Sequence, residues 1–252
     1  MVTLVSAIGC GTGESDLSPV PLRTARRIDS EAAEVGRWGG LKIHTAGIAI
    51  EDAPCVVIFL HGYGTPGTDL VPLGQELVIP GKTAFIFPEA PIALPEGGRA
   101  WCHLDGRGFN DSCARLKQLL SHLAATRPQC PIIIGGFSQG ATIVSNLLDV
   151  SDYQTLRAAI LYSPANRLQN PPPANQTHPI VLIAHGRKDP ALPFSGAKAL
   201  RDKFQQLGCN VTWVPFEGAH TIPAIAISRT KELIQSIAST TVGDNANQQH
   251  QR

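Results

Sequence analysis

Apolar residues fall into two rhythms along this chain. Six short runs, "CVVIFL" (55–60), "TAFIFP" (83–88), "PIIIGGF" (131–137), "AAILYS" (158–163), "IVLIAH" (180–185) and "VTWVPF" (211–216), are rich in β-branched or aromatic residues. Runs of that kind predict strands buried on both faces. Between them the apolar positions recur at helical spacing. "CARLKQLLSHLAAT" (113–126) puts Leu116, Leu119, Leu120 and Leu123 on one side, and "QGATIVSNLLDV" (139–150) does the same with Ala141, Val144, Leu147 and Leu148. "GAKALRDKFQQLG" (196–208) and "AIAISRTKELIQSIA" (224–238) complete the helices, and "GLKIHT" (40–45) adds an edge strand. Strands and helices alternating at these lengths predict an α/β fold, with a mostly parallel central sheet and helices on both faces. No internal repeat is seen.

Both ends break the rhythm. Residues 1–36 form an N-terminal extension expected to be partly disordered, residues 37–238 one folded domain, and residues 239–252 ("STTVGDNANQQHQR") a polar tail with little to bury, expected to be disordered. The head "VTLVSAIGCGTGESD" imitates a strand entering a dinucleotide loop. Glu14 stands where G-x-G-x-x-G needs its third glycine, and "LSPVPL" breaks any following helix, so that motif is rejected.

Composition adds exclusions. The chain has 252 residues, enough for one well-packed domain, and a net charge of +1 with its eight histidines neutral. There is no basic stripe, which points away from nucleic acid, and no apolar stretch reaches the roughly 18 residues of a membrane span. The six cysteines (Cys10, Cys55, Cys102, Cys113, Cys130, Cys209) lack paired spacing and read as buried free thiols in a reducing, cytoplasmic setting. The alternative is an exported or lipid-anchored chain, resting on "AIGC" as a loose lipobox, although no positive charge precedes it. With neither C-x-x-C nor H-E-x-x-H, no metal is expected.

Candidate chemistry lies just after the strands, where ligands bind in such sheets. "GFSQG" (136–140) is G-x-S-x-G, a sharp strand-to-helix turn that lifts the Ser138 hydroxyl above the sheet while glycines let strand and helix pass closely. A serine capping a helix explains the pentapeptide equally well by itself. After "IVLIAH" comes "GRKDPALP" with Asp189, and after "VTWVPF" comes "EGAHTIP" with His220. Each has a plain reading too: Asp-Pro initiates turns, and a loop histidine needs no function. Together they fall at successive strand ends in the order Ser…Asp…His, the chain order of the α/β-hydrolase triad. His185 is a rival base, but it closes the strand that carries Asp189, so both serving from one strand end is disfavoured. His61 looks like a brace for its loop, and Glu217 stands too near His220 to replace Asp189.

"FLHGYG", "FPEAPIALPEGGRAWCHLDG", "GFSQGA", "HGRKDPALP" and "GAHTIP", in that order from about Pro54 to Ile237, resemble the acyl-protein thioesterase/carboxylesterase family, the phospholipase/carboxylesterase group of α/β-hydrolases. The resemblance implies an α/β-hydrolase fold without a large cap domain. It implies Ser138 as nucleophile, His220 as base, Asp189 as its partner, the amides of Tyr63 and Gln139 as the oxyanion hole, and no cofactor. Three positions depart from the family pattern: Ala141 for a second glycine, Thr65-Pro66 for an aspartate, and Trp101-Cys102-His103-Leu104-Asp105 for Trp-Phe-Asp. They leave the triad intact and bear on acyl-chain and leaving-group preference.

The activity expected is hydrolysis of short- to medium-chain carboxylic esters through an acyl-enzyme. The alternatives are an acyl-protein thioesterase or lysophospholipase-type enzyme, a dienelactone hydrolase or small peptidase on the same fold, and an inactive binding protein. "PANRLQNPPPANQTHP" is too short and proline-stiff for a cap. The pocket wall is placed in Glu89–Asn110, with Leu94, Trp101 and Leu104 as apolar surface, although Trp101 reads equally as core. The partner expected is a small ester or thioester, with a homodimer allowed.

Overall fold

The computed structural model describes residues 33–149, 154–174 and 177–249. The head motif, Cys10 and most of the N-terminal extension lie outside the described residues. Ten strands are described: β1 (Ala33–Trp38), β2 (Leu41–Gly47), β3 (Cys55–Leu60), β4 (Thr83–Pro88), β5 (Ile92–Ala93), β6 (Arg99–Ala100), β7 (Ile132–Phe137), β8 (Leu156–Tyr162), β9 (Ile180–Gly186) and β10 (Val211–Phe216). Eight of them form one sheet in the order β1-β2-β4-β3-β7-β8-β9-β10. From β4 to β10 every pairing is parallel, and β1 and β2 join antiparallel at one end. The chain therefore has an α/β-hydrolase sheet.

Alternation along β3 shows how the sheet is held. Val56, Ile58 and Leu60 enter one core, shared with Leu116, Leu119 and Leu120 of α2 (Phe109–Thr126) and Phe204 of α4 (Phe194–Gln206). Cys55, Val57 and Phe59 enter the other, shared with Leu73 and Leu77 of α1 (Val71–Leu77) and Ile234 of α5 (Ala224–Gln249). All six β3 residues are buried, as the unbroken apolar run requires when both faces are covered.

Four expectations need correction. "GLKIHT" forms β2 but not the edge, because β1 pairs outside it from Ala33, ahead of the boundary placed at residue 37. Helix α3 is Gln139–Val144, shorter than the pattern to residue 150. The Asn146 side chain donates to Thr142 O and Arg167 O and accepts from the Gln169 and Asn170 amides, so it ends the helix and ties down the next loop. The short α1 and the β5–β6 hairpin lie in stretches without a helical or alternating signature. At the other end, α5 runs on to Gln249 through the segment expected to be a disordered tail. Extending a docked helix avoids the unfavourable nucleation step, and no proline interrupts residues 239–249.

Candidate active site

Ser138 sits between β7 and α3 with φ 55° and ψ −114°, a conformation forced on a residue with a side chain. Its amide donates to Tyr162 O at the end of β8, and its carbonyl accepts from Thr142 N in α3. The flanking glycines make the crossing possible. A Cβ on Gly140 would lie 2.2 Å from Leu60 O, and one on Gly136 would lie 2.5 Å from the Gly140 carbonyl carbon. Strand β3, the elbow and α3 thus touch through backbone.

Asp189 lies in the turn after β9. Its Oδ1 accepts from the amides of Ala191 and Leu192 at 2.8 and 2.9 Å. Its Oδ2 accepts from Nδ1 of His220, in the loop after β10, at 2.6 Å. Burial raises the carboxyl, but the Leu192 amide, the His220 ring and the Ala191 amide outweigh it and leave Asp189 below the usual carboxylate range. The two loops are also stitched by backbone, with Arg187 N donating to Phe216 O and Lys188 N to Gly218 O. Gly186 lets them meet, since a Cβ there would lie 2.3 Å from Ala219 O. The His220 ring packs on Phe137, the residue before Ser138, at 4.7 Å between centroids. The three candidates from sequence therefore converge at one end of the sheet. Glu217 pairs with Arg187 on the exposed surface and takes no part.

The loop after β3 is set by His61, which is buried. Its Nε2 accepts from Ala90 N at 3.1 Å, so its proton is on Nδ1, which donates to Gly62 O at 2.8 Å. Burial pushes His61 down to about 4, so the ring is neutral near pH 7. Thr65, at the position where the family pattern has an aspartate, adds a hydroxyl donor to Gly62 O at 3.1 Å. The peptide is trans, so holding the Gly62 carbonyl turns the Tyr63 N–H to the opposite side. The Gln139 amide is at the start of α3, where helix donors have no intrahelical partner.

Trp101 is not a pocket wall. It is fully buried, and its Nε1 donates to His61 O at 2.9 Å. Its amide donates to Gln139 Oε1 at 2.7 Å, while Gln139 Nε2 donates to Cys102 O at 2.8 Å. Residues 101–102 thus strut the two loops that carry the Tyr63 and Gln139 amides. Leu94 is half-buried, and Leu104 is 83% exposed at the tip of the turn from His103 to Arg107, so the three apolar candidates do not share one surface. No group of three or more metal-ligating side chains occurs among the described residues, and the five described cysteines are free and buried.

The fold and the serine elbow define the class as an α/β-hydrolase. Residues 48–238 match the family described as Phospholipase/Carboxylesterase. The chain is 30% identical to acyl-protein thioesterase 1 of Candida albicans over 215 residues, covering 73% of this chain and 93% of that one. It is 29% identical to acyl-protein thioesterase 1 of Debaryomyces hansenii, covering 71% and 87%. Among solved structures, esterase PE8 superposes with a TM-score of 0.65 at 26% identity, covering 78% of this chain and 99% of that one. The carboxylesterase of Mesorhizobium loti shares the fold with a TM-score of 0.67 at 19% identity, covering 81% and 98%. The chain belongs to the phospholipase/carboxylesterase family, and it is a serine hydrolase acting on esters or thioesters. Among the described residues, no helix is long and apolar enough to cross a membrane.

Proposed function

We propose that the protein hydrolyses short- to medium-chain carboxylic esters through an acyl-enzyme on Ser138. The observation that carries this reading is the strained Ser138 elbow beside a His220 ring already hydrogen-bonded to Asp189 at 2.6 Å. A serine hydroxyl is a weak nucleophile at neutral pH, so His220, with Nδ1–H held by Asp189, takes the hydroxyl proton at Nε2 as Oγ attacks the carbonyl carbon. The Tyr63 and Gln139 amides receive the oxyanion. That imidazolium protonates the leaving alcohol, and the neutral imidazole so regenerated takes a proton from the water that releases the acid and returns it to Ser138 Oγ. Asp189 stays ionised throughout and stabilises the imidazolium.

The absence of helix among the described residues of 163–179 favours an open site without a cap, which suits small, dispersed esters. Thioesters form the second reading, favoured by the relatives named acyl-protein thioesterase 1. Hydrolysis of p-nitrophenyl butyrate by purified wild type and Ser138→Ala tests the proposal. Loss of the triad serine typically costs on the order of 10⁶ in rate, so the variant is expected to be at background. More than a few per cent of wild-type turnover in clean Ser138→Ala protein removes Ser138 from the role. Paired oxyester and thioester substrates of equal chain length assign the preference.

A further inference from the structure

A buried histidine stands behind the acid. His185, the penultimate residue of β9, is fully buried, and its Nε2 lies 3.0 Å from Leu192 O and 3.3 Å from Asp189 Oδ2. A carbonyl and an ionised carboxylate only accept, so Nε2 carries the proton and the ring is the Nε2–H tautomer. Its Nδ1 is buried with no hydrogen-bond partner. Asp189 Oδ1 already accepts two backbone N–H groups and Oδ2 accepts His220 Nδ1–H. Three donors thus bond the carboxylate, and the His185 ring lies against the fourth side within ion-pair distance of Oδ2. The charged neighbours on the same turn, Arg187 and Lys188, are exposed and engage Glu217, so the rings of His220 and His185 are the side chains that lie against the acid.

We propose that His185 is a positioning residue for the hydrolytic reaction. Its Nε2–H, bonded to Leu192 O, holds the acid loop closed, and the ring, 3.3 Å from Oδ2, keeps that oxygen in line with His220 Nδ1. The proposal rests on the Asp189–His220 pairing put forward above. Packing alone does not account for a polar ring here, because an unpartnered buried Nδ1 costs free energy that a leucine or phenylalanine would avoid. The expected strand-end conflict between His185 and Asp189 is resolved by role: the two residues meet, and both His185 and His220 approach the same Oδ2.

The test compares His185→Leu, which removes the donor, with His185→Gln, whose amide N–H replaces Nε2–H. Wild type is first shown to take a fluorophosphonate label, so failure of the serine mechanism is recognised separately from failure of this proposal. His185→Leu is expected to lower kcat on p-nitrophenyl butyrate by roughly 10- to 100-fold with KM within about twofold, and His185→Gln to recover most of that loss. Full kcat in His185→Leu, or a folded His185→Gln no better than His185→Leu, overturns the proposal. Should His185→Leu fail to fold, ¹⁵N NMR of the wild-type imidazoles decides. The proposal requires Nε2–H on His185 at neutral pH and a shift of that resonance on Asp189→Asn; an Nδ1–H tautomer, or no response to Asp189→Asn, overturns it.

Discussion

Replacing Gly186 by alanine tests whether the close passage of the acid and base loops matters for rate. A Cβ at this position would lie 2.3 Å from Ala219 O and 2.4 Å from Gly218 O, both carbonyls of the loop that carries His220. Side-chain carbons essentially never approach closer than 3.0 Å, and 3.4 Å begins ordinary contact. The obstruction is backbone, so no rotamer relieves it, and the loop must retreat. A displacement of about 1 Å in a catalytic group can cost on the order of 100-fold in rate. That factor corresponds to about 2.7 kcal/mol of transition-state stabilisation. Overpacking also destabilises the fold, by roughly 1–3 kcal/mol. The two effects separate by assay: kcat/KM on p-nitrophenyl butyrate well below the melting transition reads the displacement, and urea unfolding reads the strain. Gly186→Ala is expected to stay folded, to lose activity by about two orders of magnitude and to label slowly with a fluorophosphonate. Wild-type kcat/KM in a folded Gly186→Ala protein refutes the argument that the backbone contact positions His220.

Three further outcomes follow from the same geometry. Asp189→Asn is expected to lower kcat at neutral pH by roughly 10⁴, since an amide at Oδ2 can hold the His220 ring in the wrong tautomer; a loss below about tenfold contradicts the assignment. His61, lowered to about 4 by burial, stays neutral in the fold while the unfolded chain takes up a proton below about 6.5. Its stabilisation is therefore present above about 6.5 and lost as pH falls toward 4, so His61→Asn should lose roughly 2 kcal/mol less than wild type between pH 7 and 4.5 in urea melts; equal losses contradict the neutral brace. EDTA is expected to leave hydrolysis unchanged, and activity that vanishes with chelation and returns with zinc overturns the serine mechanism.

The strand-helix alternation, the elbow and the positions of Asp189 and His220 were legible because each rests on local chemistry. Ile132–Ile134 can only be buried, Gly136 and Gly140 mark the crossing, and the two polar residues follow directly on apolar runs. What escaped depends on contacts between segments far apart in the chain. Trp101 carries the same apolar signal whether it lines a pocket or struts a loop, and only its bond to His61 O distinguishes the two. The side chain of Gln139 reaches across to residues 101–102, a span no spacing rule reports. In sequence His185 reads as a rival base too near Asp189 to serve, yet that nearness is what sets its Nε2 3.3 Å from the acid. The glycine after it was the available signal, because a strand-end glycine often marks a close backbone approach. Helix α3 stops early because Asn146 is committed to the loop at residues 167–170, which no helical periodicity reveals.

Ser138 is the nucleophile that carries the acyl group, and a fluorophosphonate, which phosphonylates an activated serine, reports on it directly. Wild-type protein is treated with the probe, the adduct is weighed intact, and the modified residue is located by peptide sequencing. A single adduct, carried by Ser138, is expected to form in step with loss of ester hydrolysis and to be absent from Ser138→Ala. An enzyme that hydrolyses esters while taking no label, or that carries the label on another residue, contradicts it.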